Sequence, residues 1–90
     1  MADENLRLDK FLWFARLAKT RSAAQALAQA GHLRLDGRRV ERAHVAVKVG
    51  SVLCLPTQAG SRVVRIDAIP LRRGPAPEAR ACYTPIEGGD

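Results

Sequence analysis

Cysteine is scarce in this chain, and what there is makes no framework. Cys54 and Cys82 are the only two, they form no CxxC pair, and their spacing permits a disulfide without requiring one. Adding His32 and His44 gives four potential ligands whose positions match no zinc spacing, so all four are read as structural or incidental and no metal is expected. Aromatic residues are also few: Phe11, Trp13, Phe14 and Tyr83. Long apolar runs are missing. No stretch approaches the roughly 20 apolar residues of a membrane-spanning helix, and the opening MADENLRL is acidic where a secretory signal would be basic and then apolar. The expectation is a cytoplasmic protein with no membrane partner.

Catalytic groupings are lacking too. Ser22, Ser51 and Ser61 have no His-Asp arrangement near them, Cys82 sits in a Pro-flanked tail, and Gly60 stands alone without a phosphate-cradling glycine loop. Asp9, Asp36, Glu41 and Asp67 are read as a helix-dipole partner, a turn residue and surface ion pairs rather than as paired acid and base. No enzyme, cofactor or small-molecule substrate is therefore expected.

Positive charge is what the chain has in excess, and it is unevenly placed. Residues 7–73 carry 14 Lys or Arg against the 4 acids just named, a net of +10; residues 1–6 and 74–90 contribute −2 each, which returns the formal +6. Of the 15 basic residues 12 are Arg, whose planar fork suits phosphate recognition better than the point charge of Lys. With 47% hydrophobic and 27% charged residues in 90, the composition is that of one small folded domain. Polyanion binding is the leading inference, against the plainer reading that basic residues populate a solvated face.

The apolar positions Leu8, Phe11, Leu12, Ala15 and Ala18 have helical spacing, with Asp9 in the first turn and Arg7 and Lys10 on an outward stripe. A second helix starts at the N-cap Thr20 and runs through the small residues Ala23, Ala24, Leu27 and Ala30 to Gly31, which closes it in a left-handed conformation. The period then changes to two over Leu33–Leu35, and Asp36-Gly37 predicts a hairpin turn leading into Arg38, Arg39 and Val40. Val45, Val47 and Val49, Val52–Leu55, and Arg62–Ile69 read as further strands. Pro70, Pro75 and Pro77 rule out one continuous helix in the last segment, though Pro77 can start a brief helical turn through Glu78 to Tyr83, and the last seven residues are expected to be mobile. The fold class is α+β: two short packed helices, a small mostly antiparallel sheet, and a short C-terminal helical turn.

Two basic clusters flank the second helix. Lys19 and Arg21 precede or open it, where free backbone N–H groups and the dipole favour an anion, and Arg34, Arg38 and Arg39 follow in the hairpin. If the hairpin folds back along the helix, one stripe gathers Arg7, Lys10, Lys19, Arg21, Arg38 and Arg39. Trp13 and Phe14 are read as core, as a stacking platform for an unpaired base, or as a protein contact.

The run RLDKFLWFARLAKTRSAAQALAQAGHLRLDGRRV resembles the RNA-binding domain first described in small-subunit ribosomal protein four, the S-four domain. The matching pieces are Arg7-Leu8-Asp9-Lys10, Thr20-Arg21-Ser22, Gly31, Leu33-Arg34-Leu35-Asp36-Gly37 and Val49-Gly50-Ser51-Val52. Further along, Arg72-Arg73-Gly74-Pro75-Ala76-Pro77-Glu78-Ala79 with Tyr83, together with the earlier WFARLAKTR, resembles the heat-shock protein fifteen family, although the long basic C-terminal extension of better-known members is lacking. The S-four resemblance covers about residues 6–55 and implies an S-four-like (αL motif) RNA-binding domain, which is expected to run with a sheet extension over residues 6–69, ahead of a Pro- and Arg-containing C-terminal segment and mobile tail over 70–90. It implies binding to structured RNA, namely rRNA of the large ribosomal subunit, by a ribosome-associated stress or recycling factor acting on stalled subunits that carry peptidyl-tRNA. The RNA contacts expected are Arg7, Lys10, Lys19, Thr20, Arg21, Ser22, Gln25, Arg34, Arg38, Arg39 and Lys48, and the protein is expected to be a monomer. The rival readings are a general nucleic-acid or DNA-binding protein, and a protein-interaction module working through Trp13, Phe14 and the Pro-rich tail.

Overall fold

The computed structural model describes residues 5–57 and 60–86. Along the chain these form β1 (Asn5–Arg7), α1 (Leu8–Phe14), α2 (Arg21–Gln29), β2 (Leu33–Leu35), β3 (Arg38–Val40), β4 (Ala46–Lys48), β5 (Val52–Thr57), β6 (Gly60–Ile66), α3 (Ala76–Arg80) and β7 (Tyr83–Ile86). The fold is α+β. Strands β3-β2-β5-β6-β7 make a five-stranded antiparallel sheet, and β1 pairs with β4 in a separate two-stranded ribbon.

Helix α1 has no side-chain cap. Its first N–H groups are met instead by the chain that follows β3: Leu8 donates to the Val45 carbonyl at 2.7 Å and Asp9 to that of Ala43 at 3.1 Å. The helix is shorter than its apolar spacing predicts, ending at Phe14, because Arg16 turns left-handed (φ 61°). Leu17 and Ala18 both donate back to the Leu12 carbonyl, at 2.8 and 3.0 Å, so Ala15 and Ala18 reach the core from a turn rather than from the helix. Leu8, Phe11 and Leu12 are fully buried. Each stabilises the fold by about 1.5–3 kcal/mol relative to exposure.

Helix α2 starts where its cap predicts: the Thr20 Oγ1 accepts from the Ala23 N–H at 3.0 Å. It buries only Ala24 and Ala28, and such small side chains let two helix backbones approach closely. Gly31 (φ 82°) then ends the helical segment.

The β2–β3 hairpin turns through Asp36 (φ 53°) and Gly37 (φ 85°), the two successive left-handed residues of a type I′ turn. Asp36 also fastens the turn to β5, donating its N–H to the Val52 carbonyl at 2.8 Å while its Oδ1 accepts from the Val52 N–H at 2.9 Å. One face of the large sheet carries Leu33, Leu35, Val40, Leu53, Leu55, Val64 and Ile66 into the common core.

Two strands are absent from the sequence reading. β1 was not expected; its residues pair as Asn5↔Lys48, Leu6↔Val47 and Arg7↔Ala46. The final segment is not simply a tail: Thr84, Pro85 and Ile86 lie opposite Arg65, Val64 and Val63 in β7, and only Glu87 to Asp90 fall outside the described residues. The Thr84 hydroxyl donates to the Asp67 carboxylate, and the Asp67 and Ala68 N–H groups donate to the Cys82 carbonyl at 2.8 and 3.2 Å. These bonds end β6 at Ile66, short of the expected Ile69. α3 begins behind Pro75 and places Ala79, with Cys82 just beyond it, among the buried residues.

Candidate nucleic-acid interface

Lys19, Thr20, Arg21 and Ser22 are all exposed at the N-terminal end of α2. Thr20 uses one of the free helix N–H groups for itself, so the site there is an arginine and a lysine beside the remaining ones. Gln25, one turn further, is half-buried.

The second basic cluster reaches the other end of the same helix. A Cβ added to Gly31 would lie 3.0 Å from Nη2 and 3.3 Å from Nε of Arg39, so the guanidinium rests against the glycine that follows α2. Across the hairpin Arg39 pairs with Arg34, and both face away from the core-facing Leu33 and Val40. Lys19 and Arg21 are thereby separated from Arg34 and Arg39 by the length of α2. For its nine residues that is about 13 Å. The clusters flank one helix rather than meeting at one point.

Arg38 does not join that stripe. As the neighbour of Arg39 in a strand it points to the opposite face, opposite Leu35 in register. There it lines a cleft of about 580 Å³ with Val40, Arg42 and Val45, to which Arg39 and Glu41 also contribute. Arg42 was not singled out in the sequence.

Arg7 is committed to a partner. Its Nε and Nη2 donate to Oδ1 and Oδ2 of Asp9 at 3.0 and 2.8 Å, and the Lys10 N–H donates to the same Oδ1 at 2.8 Å. Asp9 is 1% exposed, so the helix-dipole partner read from its position is a buried carboxylate held by a bidentate arginine. Lys10 is half-buried beside this pair. Arg7 and Lys48 share the outward face of the β1–β4 ribbon, since Leu6 and Val47 take the inward one.

Three further acids among the described residues are also spoken for. Arg39 pairs with Glu41 at 3.3 Å, Arg65 with Asp67 at 2.9 Å and Arg72 with Glu78 at 2.9 Å. The Thr84 hydroxyl, and then Arg65, hold the Asp67 carboxyl below the usual carboxylate range. Burial, and then Glu78, push the Cys82 thiol up. Among the described residues Lys19, Arg21, Arg34, Arg38 and Arg42 have no acidic partner within salt-bridge reach. Their charge is uncompensated, which is the condition for exchanging counterions with a polyanion.

Trp13 is half-buried against the core, tilted on Phe14 with ring centroids 5.6 Å apart. The Arg73 guanidinium covers its ring at 5.6 Å. A base stacked on that face would have to displace Arg73. Arg73 and Arg16, neither of them among the predicted site residues, both donate to backbone carbonyls across this junction. Their separation in sequence gives no local signal of it. Among the described residues no group of three or more His, Cys, Asp or Glu is placed to hold a metal ion, and Cys54 and Cys82 are both free thiols. No helix among them is long and apolar enough to cross a membrane.

Comparison with known proteins gives one consistent result. The S4 domain family model matches residues 6–53. The heat shock protein 15 homolog of Haemophilus influenzae is 37% identical over 87 residues, covering 97% of this chain and 66% of that relative. The small ribosomal subunit protein uS4 of Bacillus cereus is 38% identical over 63 residues, covering 70% of this chain and 32% of that protein. A trimeric structure of Vibrio cholerae heat shock protein 15 superposes with a TM-score of 0.84 at 34% identity, covering 92% of this chain and 83% of that one. The chain thus spans just under two thirds of the Haemophilus relative and about a third of the ribosomal one.

Proposed function

The chain belongs to the S4 domain family and, within it, to the heat shock protein 15 family, and from that premise we propose that it is a non-enzymatic protein that binds structured RNA. The observation that carries this reading is the uncompensated charge of Lys19, Arg21 and Arg34, which with Arg39 brackets α2. Duplex RNA hides its major-groove edges, so cations fixed on a rigid helix and hairpin read phosphate spacing and 2′-hydroxyls rather than sequence. The target proposed is rRNA of the large ribosomal subunit. The role proposed is that of a cytoplasmic stress or recycling factor acting on stalled subunits that carry peptidyl-tRNA; the heat-shock name of one set of relatives fits a stress role, and the small-subunit ribosomal name of another fits an RNA partner in general.

All the cations named lie on one chain, so a monomer suffices for the contact. The Vibrio relative is trimeric, and light scattering on this protein decides between one copy and three. The protein-interaction reading is weakened because Arg73 already occupies the Trp13 face. Duplex DNA remains the rival ligand.

The test is co-sedimentation with isolated large and small subunits, with and without prior nuclease, alongside competition by duplex DNA. Binding to large subunits that nuclease abolishes and DNA fails to compete supports the proposal. Equal competition by DNA, or binding that survives RNA digestion, refutes it.

A further inference from the structure

The turn between α1 and α2 carries Lys19 and the cap residue Thr20, and so sets where the N-terminus of α2 points. Local backbone bonds hold its first part, where Ala15 to Ala18 donate back to the Phe11, Trp13 and Leu12 carbonyls, but none of these bonds reaches Lys19 or Thr20. Arg16 occupies the left-handed region at φ 61° without being glycine, a conformation uncommon for a long side chain. No helical ladder spans residues 15–20.

Two arginines tie this turn to the C-terminal segment in opposite directions. Arg16 donates from Nε to the Gly74 carbonyl at 2.7 Å, while Arg73 donates from Nε to the Trp13 carbonyl at 3.1 Å and from Nη2 to that of Lys19 at 3.4 Å. The same Arg73 guanidinium lies over the Trp13 ring. Its fork therefore bridges the end of α1 and the residue before the α2 cap, and its charge is turned inward to carbonyl oxygens and a ring face. Gly74 is buried, and the Glu78 side chain lies against it.

We infer that Arg73 and Arg16 are positioning residues for RNA binding: they clamp the α1–α2 turn so that Lys19, Thr20 and Arg21 are presented in the binding geometry before RNA arrives. This deepens the RNA-binding reading and rests on it. A clamp of this kind raises the fraction of protein that is competent to bind, and the apparent affinity scales with that fraction. Arg73→Lys keeps the charge but loses the planar fork that reaches two carbonyls at once. If the ordered fraction then falls to about 0.1–0.2, RNA affinity falls about five- to tenfold.

The experiment measures structured-RNA affinity against salt for the full chain and for Arg73→Lys, Arg73→Gln and Arg16→Asn, with amide hydrogen exchange of each free protein. Asn tolerates the left-handed backbone, so Arg16→Asn removes the Gly74 contact without a new conformational demand. The clamp predicts weaker binding in all three, an unchanged salt slope because the bound state touches the same phosphates, and faster exchange at Leu17 and Ala18. A direct phosphate contact by Arg73 predicts instead that Lys restores affinity and that Gln lowers the slope by about 0.7–0.9. That result overturns the inference, as does wild-type affinity in all three variants. Should Arg21→Gln also bind like wild type, it is the RNA reading of this surface that fails; if Arg21→Gln weakens binding and the clamp variants do not, the clamp alone fails.

Discussion

Thr20, Gly31 and the Asp36-Gly37 turn each organise their segment over a few positions, whereas Arg73 and Thr84 hold theirs through partners 60 and 17 positions away. The first group lies in the helix-helix-hairpin unit that the S4 domain model matches. The second lies in the C-terminal segment, which closes the far edge of the large sheet and clamps the α1–α2 turn. Local devices fix the shape of the cationic surface, and long-range ones fix how steadily it is presented. A binding unit of this kind is portable, because its geometry is encoded within itself, while its tuning is left to whatever chain follows.

The strongest way to break that contrast is through the core on which both regions rest. Phe11→Ala should cost about 3–5 kcal/mol, lowering the urea midpoint of the whole protein in one transition. Separate transitions for the two regions would mean that they are not one cooperative unit.

Next in size is the double change Arg21→Ala with Arg39→Ala, which acts on the local unit alone. RNA affinity should drop at least tenfold and the salt slope by about 1.4–1.8, the loss expected for two phosphate contacts. The unfolding midpoint should barely move, because Arg21 has no acidic partner among the described residues and the Arg39–Glu41 pair is exposed. A large shift in stability would show that these arginines serve the fold.

Thr20→Ala removes one local device and should cost about 1 kcal/mol, read as an earlier thermal unfolding midpoint. A cost near zero would transfer the definition of the α2 start from Thr20 to the Arg73 clamp.

The smallest effect belongs to the C-terminal edge. The Asp67 pKa is depressed by the Thr84 hydroxyl and by Arg65, so the folded state binds that proton less readily than the unfolded one. The resulting stabilisation is complete above the ordinary carboxylate value of 3.8 and fades as pH falls through the lower folded value. Urea midpoints of the protein and of Asp67→Asn should differ at pH 6 and converge on acidification. A gap that persists at the acid end would rule out this ionisation as its source.

What the sequence made legible follows the same division. The Thr20 cap, the left-handed Gly31 and the type I′ turn were readable because each is chemistry among near neighbours. β1 was not, since Asn5–Arg7 is three residues long and its partners lie beyond two helices and a hairpin. β7 escaped because Pro85 and the short run Tyr83–Ile86 resemble a tail until Asp67 and Val64 are beside them. Asp9 was readable as a helix-dipole partner, but nothing in its neighbourhood announces that its side chain is enclosed. The separation of Arg38 from Arg39 was readable: adjacent strand residues face opposite ways, and placing both on one stripe overlooked that alternation.

Gly31 does more than end a helix. Because it offers no side chain, the Arg39 head group can settle against its backbone, and the distance between the two ends of the charged surface is thereby set by an atom that is missing. A methyl group at residue 31 would ask that head group to give by only a few tenths of an ångström, but it would strain a backbone held at positive φ. One position thus serves both the close of a helix and the seat of a cation, and glycine is the residue that meets both demands without strain.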